Sequence, residues 1–305
     1  MFLDDLTPPF TALGVFLLCS ILPLAGYAQC DLAPPTTQSV IQCGPGSATL
    51  QATGAGGTIT WYNDSGSLAP IATGSPLVTP FLSESETYYA AITTTTLSTW
   101  DFATDLQGWT AATQCGLNTV NWVWNSDSGQ GAAFAESASG NSSLFLSSPV
   151  IDVAGASAID FDFIHRFNTE TCCDHGYAVY RLDGGNWQRF VPTTGPYNIF
   201  DFMYNDPFLG DCGFSPDIDV FAGDNGGYQE SGGLLSVMGA GTVEVGFLFT
   251  SDASFADEGW YINAASVEVI CESPRVQVDV TVLPLQDAPT TVSASTCGGS
   301  SATVG

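Results

Sequence analysis

Short runs in which hydrophobic and polar residues alternate recur along most of the chain, and turn-forming residues separate them. Alternation with a period of two is typical of β-strands that bury one face, and Gly, Pro, Asn and Ser between the runs favour turns. In the first third of the chain the runs are SATLQAT, TITWYND, PLVTPFL and TYYAAITT. We therefore expect this part to form a small antiparallel β-sandwich.

The strand that should close this sandwich is displaced far along the sequence. The composition changes after Thr96, and the next run that fits is RVQVDVTV at 275–282, just after Cys271. The residues between form their own series of runs: SSLFLSSPVIDV, IDFDFIHRF, GYAVYRLDGGNWQRF, VEVGFLFTSD and GWYINAASVEV. Asp183-Gly184 within the third run favours a tight hairpin turn. The pattern predicts a second β-domain inserted into the first.

An internal repeat links the two ends of the chain. PTTQSVIQCGPGSATL at 35–50 is matched by PTTVSASTCGGSSATV at 289–304, so that Cys43 aligns with Cys297. A single copy of such a repeat lacks the strands that it needs to bury its hydrophobic face. Residues 285–305 are therefore expected to begin a second, truncated repeat, and the natural protein is expected to continue beyond Gly305.

The N-terminal segment has the pattern of an export signal. Residues 12–28 are apolar and end in small residues, with Gly26 and Ala28 at positions that favour cleavage, so residues 1–28 are predicted to be a signal peptide. The run is short for a membrane span and is broken by Pro23, and no later segment has about 18 uninterrupted apolar residues. We expect a secreted protein that is not embedded in a membrane.

The net charge of −27 arises because basic residues are almost absent. Lys and Arg together number 4, all of them Arg, against 31 Asp and Glu. Nucleic-acid binding depends on Lys and Arg, which neutralise phosphates, so nucleic acid is excluded as a partner. Carboxylates without competing cations suit divalent metal ions. A neutral extracellular surface rich in Thr, Ser and Gly is the favoured interpretation.

Removal of the signal peptide leaves an even number of cysteines, and in an exported chain these are expected to form disulfides. Cys172 and Cys173 are adjacent and cannot easily bond to each other, so each is expected to reach Cys115, Cys212 or a more distant cysteine. The eight cysteines are Cys30, Cys43, Cys115, Cys172, Cys173, Cys212, Cys271 and Cys297.

The motifs of the first sandwich resemble the immunoglobulin-like repeats of bacterial adhesins and type IX secretion cargo. The similar residues are Cys43-Gly44, Thr60-Trp61-Tyr62, Thr87-Tyr88-Tyr89 and the CESPR sequence that begins at Cys271. The resemblance implies a disulfide between Cys43 and Cys271. It also implies a discontinuous immunoglobulin-like domain, residues 29–98 with 271–284, in which residues 99–270 are inserted before the last strand.

The inserted region resembles the jelly-roll modules of the MAM and concanavalin A-like type. The resemblance covers almost all of residues 99–270 and includes the final GWYI sequence. Relatives of this type commonly hold a structural calcium ion through two carboxylates, where this chain has Ala103 and Asn263. A variant calcium set would consist of Asp101, Asp252 and Asp257. Solvated turns are the favoured alternative for these carboxylates, since Asp is common in turns.

Three tryptophans are candidates for contact with a ligand. Trp122 and Trp124 alternate in the sequence NWVWN, so a strand there would present both on one face. An exposed pair would form a platform on which a sugar ring stacks. Trp187, beside the predicted hairpin turn, is the third candidate. Burial is the favoured alternative, because large aromatic side chains mostly pack in cores.

Sequence motifs of common enzymes are absent from the chain. HExxH and GxSxG do not occur, and the phosphate-binding GxxxxGK[ST] motif requires a Lys that the chain lacks. Asp160 and Asp162 would lie on one face of a strand, but acidic pairs are too common to indicate glycosidase chemistry. We expect a non-catalytic region of a larger, cell-surface-attached protein, in which the jelly roll binds a glycan or a cell-surface protein. The alternatives are a structural spacer in a repetitive stalk and an accessory region of a secreted peptidase.

Overall fold

The computed structural model describes residues 30–116, 121–137, 142–171, 174–195, 220–251 and 255–285. Within these ranges the regular structure is β, apart from one 3₁₀ turn at Asp127–Gly129, so the all-β prediction is confirmed. In the same ranges no helix is long and apolar enough to cross a membrane. The predicted signal peptide and the repeat at 289–304 lie outside the described residues.

The strands divide into those of the first sandwich and those of the insert. The first set comprises β1 (Thr36–Thr37), β2 (Val40–Cys43), β3 (Thr49–Leu50), β4 (Ala52–Thr53), β5 (Thr58–Tyr62), β6 (Ala72–Thr73), β7 (Leu77–Val78) and β8 (Glu86–Trp100). The insert comprises β9 (Thr110–Gly116), β10 (Val123–Asn125), β11 (Ala132–Glu136), β12 (Ser142–Ser147), β13 (Ile151–Asp152), β14 (Ala158–Asn168), β15 (His175–Leu182), β16 (Gln188–Arg189), β17 (Gln229–Ser236), β18 (Thr242–Ser251) and β19 (Gly259–Glu272). The chain then returns to the first sandwich as β20 (Val276–Leu283).

The first sandwich packs around Trp61. The indole is fully buried, and its N–H donates to the carbonyl of Gly74 at 2.8 Å. β5 lies on one side of β8, and β20 lies on the other side, antiparallel to β8 and parallel to β2. Val278 and Val280 of β20 belong to the same hydrophobic cluster as Trp61. The strand from the far end of the sequence therefore supplies part of the core of the first sandwich.

The insert forms two sheets that pack face to face. One sheet has the strand order β10-β11-β19-β14-β17, and the other has the order β16-β15-β18-β12-β9. The aromatic rings of Phe161, Phe163, Phe247 and Trp260 lie in the hydrophobic core between them. Such packing requires alternate residues of each strand to be apolar, which is the pattern seen in the sequence.

The hairpin between β15 and β16 begins with the predicted turn. Asp183 and Gly184 have φ angles of 51° and 66°. The N–H of Gly185 donates to the carbonyl of Leu182 at 2.8 Å. Two successive positive φ angles are typical of the type I′ turn that Asp-Gly favours, so this prediction is confirmed.

Two long strands belong to both parts of the molecule. β8 pairs with β5 and β20 through its first half, whereas residues 93–100 pair with residues 265–272 of β19. The boundary predicted between residues 98 and 99 therefore falls inside one continuous strand. The hydrophobic clusters of the first sandwich and of the insert are nevertheless separate. Strands of both parts belong to one ten-stranded sheet.

Cys271 bonds to Cys30, which corrects the pairing with Cys43 that the resemblance implied. The Cα atoms of Cys30 and Cys271 are 5.1 Å apart. Cys43 ends β2 and faces Leu283 of β20, so β20 and β8 both lie between Cys43 and Cys271 on β19. Neighbouring strands are about 4.8 Å apart, and a disulfide needs Cα atoms within about 7 Å. Among the described cysteines, Cys43 is free and exposed.

Candidate functional site

Alternation along β14 divides its side chains between the core and an outward surface. Phe161 and Phe163 are buried in the core, whereas Asp160 and Asp162, which alternate with them, are partly exposed. The register places residues of β17 and β19 beside these carboxylates on the same side of the sheet. We call this surface the outer face. Its side chains are Asp160, Asp162, Ile164, Glu230, Leu234, Ser266, Glu268 and Ile270.

A recess of about 190 Å³ opens on the outer face where β8 adjoins β19. Asp162, Ile164, Glu230 and Ser266 line it, and Trp100 at the end of β8 forms part of its border. The ring of Trp100 itself packs on the core side of the sheet, 5.4 Å from the ring of Trp109. The recess therefore places the exposed apolar side chain of Ile164 beside two carboxylates.

A larger groove of about 670 Å³ lies between the insert and the first sandwich. The insert contributes Asp160, Leu234, Met238, Glu268 and Ile270, and the first sandwich contributes Tyr62, Leu68, Pro70, Glu272 and Arg275 among others. The volume is within the usual range of small-ligand sites. Both parts of the molecule form its walls, and the outer face forms its floor.

Arg275 holds the wall that the first sandwich contributes to the groove. Its guanidinium lies 3.5 Å from the ring centroid of Tyr62 and forms an ion pair with Glu272. It also donates to the carbonyls of Asp64 at 2.9 Å and Ser67 at 2.7 Å. Burial, followed by the charge of Glu272, raises the pKa of Tyr62, so its hydroxyl stays protonated and donates to Glu272 at 2.9 Å. The side chains of Tyr62, Glu272 and Arg275 thus all have partners within this wall.

The carboxylates of the outer face lack a cationic partner in the described part of the chain, where the salt bridges join Arg166, Arg181 and Arg275 to other acids. Burial, followed by the charge of Glu268, raises the pKa of Asp160. Burial, followed by the charges of Asp160, Glu230 and Glu268, raises the pKa of Asp162 to about 6. The outer face therefore concentrates hydrogen-bond acceptors whose negative charge is uncompensated.

Replacing Asp162 with Asn is expected to stabilise the protein more at pH 8 than at pH 4. The pKa of Asp162 is about 6 in the folded protein, above its ordinary value of 3.8. Its contribution to stability is therefore largest below pH 3.8 and is lost as the pH rises through 6. Solvent screening of this partly exposed group limits the gain to about 1 kcal/mol.

Urea unfolding of Asp162→Asn and of the parent chain at both pH values measures this difference. Asp257→Asn, at an exposed position, is the matched control and should leave the stability nearly unchanged. A gain for Asp162→Asn that is equal at pH 4 and pH 8 would contradict the raised pKa.

Arg166, further along β14, organises a separate charged network. It donates to Asp127 at 2.7 Å and to both oxygens of Glu258 at 2.9 Å. Its guanidinium lies 3.8 Å from the ring centroid of Tyr261, and Tyr228 also donates to Asp127. The hydrogen bonds from Arg166 lower the pKa of Asp127. Because its donors are engaged with protein acceptors, this network holds β14 and β19 to the adjoining loops.

The structure does not bring the three predicted tryptophans together. Trp122 is buried, and its N–H donates to the carbonyl of Leu144 at 3.1 Å, which corrects the expectation that it contacts a ligand. Trp124 is 39% exposed at the edge of the sheet, and its N–H donates to the carbonyl of Phe102. Trp187 is partly buried against Phe145, on the side of the second sheet that faces away from the core. None of the three lines the outer face.

The predicted calcium set is not assembled by the described residues. Asp101 is exposed and accepts hydrogen bonds from the N–H of Ala103 and from the side chain of Gln107, as a turn carboxylate does. Asp257 is exposed, and Asp252 lies outside the described residues. No group of three or more His, Cys, Asp or Glu that could hold a metal ion occurs in the part of the chain that was described. The calcium set stays a prediction, and the turn interpretation fits Asp101.

Sequence reasoning found part of the outer face and missed the rest. The two-residue spacing of Asp160 and Asp162 correctly indicates that both lie on one side of a strand. Glu230 and Glu268 lie far away in the sequence and join them only through the pairing of β14 with β17 and β19. No local pattern specifies which strands become neighbours, so the recesses could not be derived from the sequence.

The first sandwich matches a known family. Residues 33–99 match the family model described as Ig-like domain, CHU_C associated. This match confirms the immunoglobulin-like assignment for that part of the chain. A search of curated proteins finds no match.

Several solved structures are similar to a little over half of the chain. The K1 cleaved adhesin domain of Lys-gingipain from Porphyromonas gingivalis W83 is 16% identical, with a TM-score of 0.33, over 57% of this chain and 97% of that one. The enzymatically active domain of tailspike protein 4 from bacteriophage CBA120 is 13% identical, with a TM-score of 0.32, over 57% and 20%. TmCBM27, a carbohydrate-binding module described for specific mannan recognition, is 14% identical, with a TM-score of 0.31, over 58% and 98%. Since these TM-scores lie below 0.5, the likenesses carry no functional conclusion for this chain.

Proposed function

We propose that this chain is a non-catalytic extracellular binding region and that its inserted jelly roll binds a glycan on the outer face. The observation that carries the proposal is the arrangement of this face. Two recesses share a floor of carboxylates that have no cationic partner among the described residues, and apolar side chains stand beside those carboxylates in both. Ligand sites commonly combine apolar walls with a few convergent polar groups in this way.

A sugar presents both kinds of group that the outer face can contact. Its hydroxyls are donors, and a hydrogen bond to an ionised carboxylate is stronger than one between neutral groups. Its C–H surfaces pack on apolar side chains, which Ile164 supplies in the smaller recess and Leu234 and Ile270 supply in the larger groove. The strand from Asp160 to Ile164 spans about 13 Å, so an extended glycan along β14 would contact both recesses.

We also propose that the chain is organised as a host and a guest. Residues 29–98 with 271–284 form the immunoglobulin-like host, and residues 99–270 form the inserted jelly roll. The separate hydrophobic clusters support this division. The disulfide between Cys30 and Cys271 supports an extracellular location at the cell surface, because disulfides persist in oxidising surroundings.

A structural spacer is the second candidate function. The continuous strands β8 and β19 support it, because they join the two parts through one sheet and resist bending between them. In that case the insert has no binding role in the stalk, and the outer face has no glycan ligand.

The double variant Asp160→Asn with Glu268→Gln is expected to weaken glycan binding at least tenfold. The two substitutions keep the side-chain shape but remove two charged acceptors from the groove floor, and a hydrogen bond to a charged group contributes about 1.5–3 kcal/mol. A glycan array with the parent chain identifies the polysaccharide, and calorimetry with that polysaccharide measures both affinities.

The matched control is Glu84→Gln with Glu86→Gln, which changes the net charge equally at exposed positions of the first sandwich. It should bind like the parent chain. Equal weakening by both double variants would point to a general effect of charge and contradict the outer-face site. Absence of binding to any polysaccharide on the array would favour the spacer.

A further inference from the structure

The disulfide between Cys30 and Cys271 closes a very large covalent loop. The two cysteines are 241 residues apart in the sequence. Strands β1 to β18, and nearly all of β19, lie between them. Among the strands described, only β20 lies wholly outside this loop.

A pull on the two ends of the chain therefore has a short covalent route through the molecule. Force that enters at Cys30 passes through the disulfide to Cys271 and leaves along β20. We propose that this disulfide carries tension past the inserted jelly roll, so that the outer face stays folded while the protein is under load. The proposal rests on the proposed function in one respect, since the outer face must stay folded under load only if it binds a ligand.

The segment that remains under tension is well anchored in the first sandwich. β20 is antiparallel to β8 over residues 276–280 and parallel to β2, where Val40 faces Val280 and Cys43 faces Leu283. A pull along β20 loads these hydrogen bonds together, because the force runs parallel to the strand. Between Cys271 and β20, Arg275 ties the chain to Glu272 and to the carbonyls of Asp64 and Ser67.

Single-molecule stretching between the two termini tests the loop directly. Residues 1–29 and 272–305 lie outside it and extend by at most about 22 nm, at about 3.5 Å per residue. The oxidised chain is expected to stay within this limit. Reduction with dithiothreitol, or the variant Cys30→Ser with Cys271→Ser, should add up to about 80 nm from the 241 residues released. An oxidised chain that lengthens well beyond 22 nm before breaking would overturn the proposal, whether or not the variant folds.

A second comparison tests the anchoring of β20. Arg275→Ala should lower the force at which the oxidised chain first lengthens. The matched control is Arg181→Ala, which breaks an ion pair with Glu244 inside the loop and should leave that force unchanged. If Arg275→Ala lengthens at the same force as the parent chain, the result contradicts a route of force along β20. An equal drop in force for both variants also contradicts it.

These measurements use no glycan, so they are independent of the ligand. A chain that shows the 22 nm limit but binds no polysaccharide supports the tension route and contradicts glycan binding. A chain that binds a polysaccharide but lengthens beyond 22 nm supports glycan binding and contradicts the tension route.

Discussion

Replacing Trp260 with alanine is expected to lower the free energy of unfolding by about 4 kcal/mol or more. The indole is fully buried, and its ring centroid lies 5.5 Å from those of Phe221 and Phe247. Substitution of a buried Trp by Ala typically costs about 3–5 kcal/mol. The change also removes the N–H that donates to Nδ1 of His165 at 3.0 Å, and a buried acceptor without a donor costs about 1–3 kcal/mol more.

The structure leaves no neighbour that could fill the cavity cheaply. Gly176 of β15 lies so close to the indole that a Cβ atom built there would be 2.8 Å from two ring carbons. The ring therefore occupies the whole space between the two sheets at this point. Trp124→Ala is the matched control, because that side chain is already 39% exposed and should cost less than half as much. Denaturant unfolding of both variants measures the difference, and equal losses would contradict this packing.

Acid is expected to destabilise the insert through His165. The indole of Trp260 is only a donor, so Nδ1 of His165 accepts, and the proton of the neutral ring is on Nε2, which donates to Ser231 at 2.9 Å. Burial lowers the pKa of His165 from 6.5 to about 3. The stability that depends on the neutral ring is complete above pH 6.5 and is lost as the pH falls towards 3. The loss is about 1.4 kcal/mol per pH unit, or about 2 kcal/mol at pH 5.

His165→Gln isolates this contribution, because the amide keeps one acceptor and one donor but does not titrate. The variant should lose less stability than the parent between pH 7 and pH 5, by about 2 kcal/mol, even if its stability at pH 7 is lower. Guanidinium unfolding across this range measures both chains. The shifted pKa of Asp162 acts in the opposite direction and is shared by both chains, so it cancels in the comparison. Parallel stability curves for the two chains would show that His165 does not titrate in this way.

His165 and Trp260 also show how far sequence reasoning reaches. The alternation in IDFDFIHRF correctly indicates a strand with Phe161, Phe163 and His165 on one face. Nothing in that run indicates that the ring of His165 lies between the indole of Trp260 and the hydroxyl of Ser231. Those partners are 95 and 66 residues away in the sequence, and they meet His165 only because β14 pairs with β19 and β17.

The burial of Trp122 and the partner of Cys271 both depend on information that is not local in the sequence. The alternation of Trp122 and Trp124 places both indoles on one side of the sheet but does not say that this side is the core. Cys43 and Cys30 both precede the first sandwich's main strands and both suit a bond to Cys271 by sequence alone. The parallel pairing of β2 with β20 moves Cys43 to the far edge of the sheet and leaves Cys30 as the partner.

The sequence by itself determined the all-β class, the turn at Asp183-Gly184 and the immunoglobulin-like character of the first sandwich. These follow from alternation, turn residues and short motifs, which are local and are set by the backbone within a few residues. Only the tertiary structure decided the disulfide, the groove between the two parts and the grouping of Asp160, Asp162, Glu230 and Glu268 on one face. Those features depend on which distant strands lie side by side, and that choice is made by the packing of the two hydrophobic cores as wholes.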